Sequence, residues 1–361
     1  MNKIHYIFIL TIFSMVYSMN FITPDNPKIQ YFGRFDFSDQ QKAVFDWPGV
    51  YLQFVFEGTS CSAVLEGKNC FDLFVDGKKT AKVIVGSKKD TVELVSGLED
   101  STHLLILKKR TESNFTSSVF YGIILDKGKN LKDPPPVPSR KIEFVGDSYT
   151  AGFANEYKGR ECAVEKTDSV IFSLTNTNLA FGPLTADRFG AQYQINAYSG
   201  KGLVRNFNGI DKGKELLYYY DKLLISPMNK SGNSPNVKFS SWKPDVIVIG
   251  IGINDFQADP PYADSSVFDS VYTAFLDRMR VCHPGVKFIC CATTIWPENT
   301  LIPRIKSIVE SQKAQGKKDV FYFEFKTENN ALYGHPDIND HKKIANELTP
   351  LVAKITGWDI R

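Results

Sequence analysis

The chain has 361 residues, enough for two domains and a sizeable core. Its hydrophobic fraction of 43% and charged fraction of 23% exclude a disordered or collagen-like chain. A formal charge of +3 with the signs mixed leaves no electrostatic footprint for nucleic acid.

In chain order, Lys3 followed by the mostly apolar run Ile7 to Val16 and by Val16-Tyr17-Ser18 reads as a secretory signal over residues 1–18. The run is short for a bilayer span, and no other stretch is long enough. The expected location is therefore secreted and extracellular, with no membrane partner after signal cleavage. Secretion places the six cysteines in an oxidising context. Their spacings match no zinc pattern. Cys61 and Cys70 are close enough in sequence for a local bridge. Cys290 and Cys291 are adjacent in a predicted strand and face opposite sides, so one of them is expected in the core. Asn114-Phe115-Thr116 and Asn229-Lys230-Ser231 are glycosylation sequons, usable in a eukaryotic host.

From about Ile29 to Leu131 the text is strand-like. Val50 to Phe56 is β-branched and aromatic. Cys70 to Val75 and Thr80 to Val85 flank Asp76-Gly77, a hairpin signal. Leu104 to Leu107 and Val119 to Leu125 continue the series. Short strands at regular spacing predict a β-sandwich over residues 26–131. Asp133-Pro134-Pro135-Pro136-Val137-Pro138 is a stiff, extended linker, bounded at 132–140. From 141 to 361 strands and helices alternate. Strands are expected at Ile142 to Val145, Val246 to Ile249, Phe288 to Ala292 and Val320 to Phe325. Helices are expected around Leu184 to Phe189, on Val267, Val271 and Phe275, on Ile305, Ile308 and Val309, and on Ile344, Leu348, Leu351 and Val352. The last is capped by Asn339 or Asp340. This alternation predicts an α/β fold, a parallel sheet with helices on both faces.

Open α/β sheets place their chemistry at the C-terminal edge of the strands. Gly146-Asp147-Ser148 ends the first strand there, and Tyr149 to Phe153 opens a helix whose first N–H groups face the serine. A nucleophilic serine needs a base. Of the five histidines, His5 lies in the signal, His103 in the β-domain, and His283 at the opposite end of the sheet. His335 and His341 remain at the active end. His335 precedes Pro336 in a loop able to aim an imidazole, whereas His341 falls in the first turn of a helix and reads as capping or packing. Oxyanion donors are sought in Gly250 to Asp255, where Asn254 offers its side-chain amide, and in Asn196 to Gly202, where Gly200 offers a bare backbone N–H. Trp296, after the Phe288 strand, is placed on the rim of the site as a sugar-stacking residue. Trp47, Trp242 and Trp358 read as structural, and Asp147 and Asp255 as loop anchors.

The order Gly-Asp-Ser, Ser-Gly, Gly-x-Asn-Asp and His-Pro resembles the SGNH hydrolase superfamily, whose catalytic domain is a flavodoxin-like three-layer α/β/α sandwich. Tyr31-Phe32-Gly33-Arg34, Trp47-Pro48-Gly49-Val50, Phe56-Glu57-Gly58-Thr59, Phe74-Val75-Asp76-Gly77 and Lys108-Lys109-Arg110-Thr111-Glu112 resemble the jelly-roll domain of carbohydrate esterase family 2. The resemblance covers nearly all of the mature chain. It implies Ser148 as nucleophile, His335 as base, and Ser148, Gly200 and Asn254 as the oxyanion hole. It also implies removal of O-acetyl groups from plant-wall polysaccharides such as xylan and glucomannan. No metal or organic cofactor is implied.

Two positions depart from the family pattern. Leu332 stands where most of the superfamily carries an aspartate three residues before the histidine, and Gly334 where an aromatic residue is expected beside it. A Ser-His dyad is therefore expected, its imidazole held by a backbone carbonyl, with Asp337 and Asp340 as the carboxylates that would otherwise support it. A lipase or thioesterase on the same fold, and a non-catalytic carbohydrate-binding protein, are the alternatives.

Overall fold

The computed structural model describes residues 20–112 and 116–361; the signal segment and Asn114 lie outside them. The N-terminal part is two facing antiparallel sheets. Its strands are β1 Asn20–Ile22, β2 Gln30–Phe32, β3 Ala43–Phe45, β4 Tyr51–Gly58, β5 Cys61–Glu66, β6 Asn69–Val75, β7 Lys78–Val85, β8 Asp90–Val95, β9 Ser101–Lys109, β10 Ser118–Leu125 and β11 Leu131–Lys132. One sheet runs β1-β10-β5-β8 with β3 beside β10, the other β11-β4-β9-β6-β7 with β2 beside β4. The β6–β7 turn is the one expected: Asp76 and Gly77 both take positive φ (50° and 77°), the twist a two-residue hairpin requires. Strand alternation sends Phe54, Phe56, Leu65, Leu73, Leu105, Leu107 and Phe120 into the shared core.

The C-terminal part carries β12 Lys141–Gly146, β13 Gln192–Ala197, β14 Val246–Gly250, β15 Lys287–Ala292 and β16 Val320–Glu324, all parallel, in the order β13-β12-β14-β15-β16. That is the flavodoxin-like order, with its crevice where the chain reverses direction across β12. The helices are α1 Ser148–Ala151, α2 Thr167–Leu174, α3 Phe181–Asp187, α4 Leu216–Tyr220, α5 Ser226–Ser231, α6 Ile253–Phe256, α7 Ser265–Cys282, α8 Leu301–Ala314 and α9 Ile338–Thr356. Val246 to Ile249 is almost wholly buried, because helices cover both faces.

Four expectations are corrected. Cys61 and Cys70 are not bridged: they sit on β5 and β6, in different sheets, and all six cysteines are free thiols. Cys290 and Cys291 are both core, since the two faces of β15 are both covered. The cap of α9 is Asp337, two or three residues before the expected Asn339 or Asp340. Its carboxylate accepts the Asn339 and Asp340 N–H groups, and Asp340 reaches back to form a capping box. On α7 the buried stripe is Phe268, Tyr272, Phe275, Leu276 and Met279, while Val267 is exposed. The larger rings bury more apolar area and take the core face.

The two parts share their cores. Phe32 and Tyr51 of the sandwich pack into the α/β core, and Tyr219, Ile225 and Met228 pack into the sandwich core. Asp46 accepts the N–H groups of Ile225 and Ser226 at the start of α5, and Trp47 donates to the Lys222 carbonyl.

Candidate active site

Ser148 opens α1 directly after β12. Asp147 caps the helix by accepting the Tyr149 N–H at 3.1 Å, which turns the chain sharply and presents Ser148 at the sheet edge. Gly146 permits this turn: a Cβ there would lie 2.1 Å from Thr150 Oγ1 and 2.6 Å from the Gly250 carbonyl. The Ser148 N–H lies in the first turn, where a helix leaves its donors without intrahelical acceptors.

His335 lies on the loop between β16 and α9. Its Nε2 is 2.9 Å from Ser148 Oγ, and its Nδ1 is 2.8 Å from the Leu332 carbonyl oxygen. A carbonyl only accepts, so Nδ1 carries the proton and Nε2 faces the serine as acceptor. Burial pushes the imidazole pKa down to about 4, opposed only in part by the Leu332 carbonyl. Neither nearby carboxylate backs the ring. Asp337 is engaged as the α9 cap, and Asp340 accepts the N–H groups of Glu328 and Asn329, both at 2.9 Å. They hold the loop that carries the histidine.

Gly200 and Asn254 line the same cleft as His335. The Gly200 carbonyl accepts the Phe207 N–H at 2.8 Å, while the Gly200 N–H has no partner among the described residues. The Asn254 amide donates to the Lys201 carbonyl at 2.9 Å and lies 3.5 Å from Asp147 Oδ2. Asp255 gathers the N–H groups of Leu203, Val204 and Arg205, tying the Gly200 loop to α6. Asp147 and Asp255 thus sit as anchors. Burial pushes their carboxyls up to about 7 and about 6.

Ser148, Gly200, Asn254 and His335 line one cleft of about 470 Å³. Trp296 does not line it: the ring is 76% exposed on the loop after β15, neither packed in the core nor part of the wall. The cleft's aromatic surface comes instead from Tyr149, Phe153, Phe207 and Tyr333. Tyr333 is the residue sequence reasoning passed over. It stands one place before the position inspected for an aromatic ring, in a left-handed conformation (φ 55°), 55% exposed. A tyrosine two residues before the candidate base was the available signal. His341 is buried on α9, accepts the Phe181 N–H and stacks on that ring, a packing role. His283 ends α7 and lines a separate cavity of about 240 Å³ with Glu143, Gln192 and Gln194.

Two measurements check this geometry. Selectively labelled histidine followed by NMR, with His335→Gln for assignment, should show Nδ1 protonated and the His335 ring neutral down to about pH 4. Titration at or above the ordinary value of ~6.5 would mean a carboxylate supports it. Asp337→Ala and Asp340→Ala should each cost about 1 kcal/mol of stability through the lost cap yet keep kcat within roughly tenfold. A loss comparable to Ser148→Ala in either would overturn the carbonyl-held dyad.

Comparison with known proteins agrees with this two-part arrangement. Residues 31–135 match the family model for the carbohydrate esterase 2 N-terminal domain, and residues 142–348 match that for GDSL-like lipase/acylhydrolase. An acetylxylan esterase / glucomannan deacetylase of Cellvibrio japonicus is 34% identical over 330 residues, covering 87% of this chain and 86% of its own. Cellulase/esterase CelE of Acetivibrio thermocellus is 32% identical over 343 residues, covering 92% of this chain; the chain spans only 40% of that larger protein. The structure of a family two carbohydrate esterase from Clostridium thermocellum, in complex with cellohexaose, superposes with a TM-score of 0.81 at 30% identity, covering 91% of this chain and 99% of that one. A jelly-roll-like sandwich joined to a GDSL-type α/β domain, with both halves matched in order, makes this chain a member of carbohydrate esterase family 2.

Proposed function

We propose that the protein is a secreted serine esterase that removes O-acetyl groups from plant cell-wall polysaccharides, xylan and glucomannan, through a Ser148–His335 dyad. The observation that carries this reading is the pair of hydrogen bonds on His335: Nδ1 to the Leu332 carbonyl and Nε2 to Ser148 Oγ. Neutral His335 takes the Ser148 proton as Oγ attacks the acetyl carbonyl. The oxyanion that forms is met by the N–H groups of Ser148 and Gly200 and by the Asn254 amide N–H that is not held by the Lys201 carbonyl and lies only loosely, at 3.5 Å, on Asp147. His335 then returns the proton to the departing sugar oxygen. Water, deprotonated by the same imidazole, cleaves the acetyl-enzyme to acetate and free serine.

The reading is supported by the relatives, which carry acetylxylan esterase and glucomannan deacetylase in their names. Tyr333 and Phe207 offer aromatic faces of the kind that pack on sugar rings. Against a lipase stands the space behind the serine. The apolar void past Tyr149 and Ile253 measures about 10 Å³, room for a single water, so no acyl channel runs inward there and a chain longer than acetyl would have to lie in the open cleft. Export rests on the signal-like segment at residues 1–18. Among the described residues no helix is long and apolar enough to cross a membrane.

The test is acetate release from acetylated xylan and acetylated glucomannan, with a butyryl ester alongside, for wild type and Ser148→Ala. Release by the wild type, lost by at least about 10³-fold in the variant and with butyrate poorly cleaved, is the expected result. Equal cleavage of longer acyl chains would favour a lipase-like enzyme, and binding of the polysaccharide without serine-dependent release a non-catalytic lectin-like role.

A further inference from the structure

The segment Lys109-Arg110-Thr111-Glu112, at the end of β9 in the sandwich, is buried throughout: none of the four residues exceeds 2% exposure. Three ionisable groups withdrawn from water within four consecutive residues are costly unless each is paired, so their partners are informative. Thr111 Oγ1 donates to Asn69 Oδ1 at 2.6 Å, within the sandwich. Lys109 Nζ donates to the carbonyls of Thr111 and Glu112, which fixes the turn they form. Burial pushes its ammonium down to about 7, against the pull of Asp46 and Glu112.

The other two residues reach across to the α/β domain. Arg110 donates to Asp72 at 3.0 Å and pairs with Glu156, which follows the turn after α1. Its carbonyl accepts both the N–H (3.1 Å) and the hydroxyl (2.9 Å) of Thr177. Glu112 accepts the Ser199 N–H at 2.9 Å and the Ser199 hydroxyl at 2.5 Å. Ser199 immediately precedes Gly200, and both line the cleft. The strand leading to them is held by Tyr198 N–H on the Gly146 carbonyl, and the far side by Phe207 N–H on the Gly200 carbonyl. Gly200 itself takes φ 78°, where a bare residue leaves the loop free to turn unless it is clamped.

We propose that Glu112 is a positioning residue for the esterase reaction: its carboxylate clamps Ser199 so that the neighbouring Gly200 N–H stays aimed at the forming oxyanion. The β-sandwich is then part of the catalytic apparatus of the α/β domain, and the Lys-Arg-Thr-Glu segment is its point of attachment. The inference rests on the proposed oxyanion role of Gly200. Misplacing one donor by about an ångström is enough to cost up to ~10²-fold in rate while leaving ground-state binding in place.

The full chain with Glu112→Ala, Glu112→Gln and Ser199→Ala provides the test, read by kcat and KM on p-nitrophenyl acetate and by the affinity of methylboronic acid, a tetrahedral mimic of the intermediate. Glu112→Ala should lower kcat about 10- to 100-fold with KM within roughly twofold, and should weaken boronate binding in parallel. Glu112→Gln, whose amide oxygen accepts the Ser199 N–H and whose NH2 can donate to the Ser199 hydroxyl, keeps both contacts and should recover most of the loss. A folded Glu112→Ala with wild-type kcat, or with its whole effect in KM, overturns the proposal. If Glu112→Ala does not fold, Ser199→Ala decides: a several-fold fall in kcat at constant KM supports the clamp, and unchanged kcat overturns it. A wild type that releases no acetate overturns the esterase reading and this one together, whereas an active wild type with an indifferent Glu112 overturns this one alone.

Discussion

Everything at this site depends on a hydrogen bond to a main-chain atom, His335 Nδ1–H on the Leu332 carbonyl. A neutral imidazole has one donor and one acceptor nitrogen, and the acceptor must face the serine. Fixing the donor side therefore fixes the tautomer and the ring orientation. A carbonyl accomplishes this as well as a carboxylate does, but it brings no charge to stabilise the imidazolium. The loop is built to keep that carbonyl in place. Tyr333 and Gly334 take left-handed conformations, Ala331 and His335 are joined by a short bridge, and the Asp337–Asp340 box locks the following helix. The absence of a carboxylate three residues before the histidine is a different solution to one geometric requirement.

A second constraint works at the level of domains. The Pro-rich segment reads as a spacer between independent units, yet its Pro135 carbonyl is held by Gln30, and each unit contributes to the other's core. Tyr51 tilts against Tyr193, Trp47 donates to the Lys222 carbonyl, and Asn178 donates to Asp72. Interfaces that bury charged and aromatic side chains together are rigid compared with the polar contacts of domains that move. The cleft is then shaped by a single packed body, and the sandwich contacts the Gly200 loop through the Glu112–Ser199 hydrogen bond as well as lying beside it.

The parts of the fold that sequence reveals are those with strong local signals. The central strands Val246–Gly250 and Lys287–Ala292 are continuous apolar runs, and Asp76-Gly77 is a turn by its own chemistry. The missed elements lack such signals. The edge strand Asp90–Val95, half of it exposed, falls within the strand-like stretch but has no apolar run of its own to single it out. Helix Thr167–Leu174 has no fully buried residue, so no apolar period marks it. The aromatic run Leu216–Tyr220 has strand-like composition yet folds as a helical turn, because its rings pack toward both cores. At the site, Ser148, Gly200, Asn254 and His335 were readable because each ends or follows a strand at the same sheet edge. The Leu332 carbonyl was foreseeable only as a class of acceptor, since backbone atoms have no letter. Glu112 was quoted as part of a motif without a role, because its contact lies 87 residues away and no periodicity announces it.

The most direct test of the dyad is to trap its intermediate. Acid quench of the full chain during turnover of p-nitrophenyl acetate, followed by peptide mass spectrometry, should find a single acetyl group on the peptide bearing Ser148, absent when His335→Ala is treated identically. Acetyl carried on another residue, or a Ser148 acetyl that forms as fast without His335, would contradict the account.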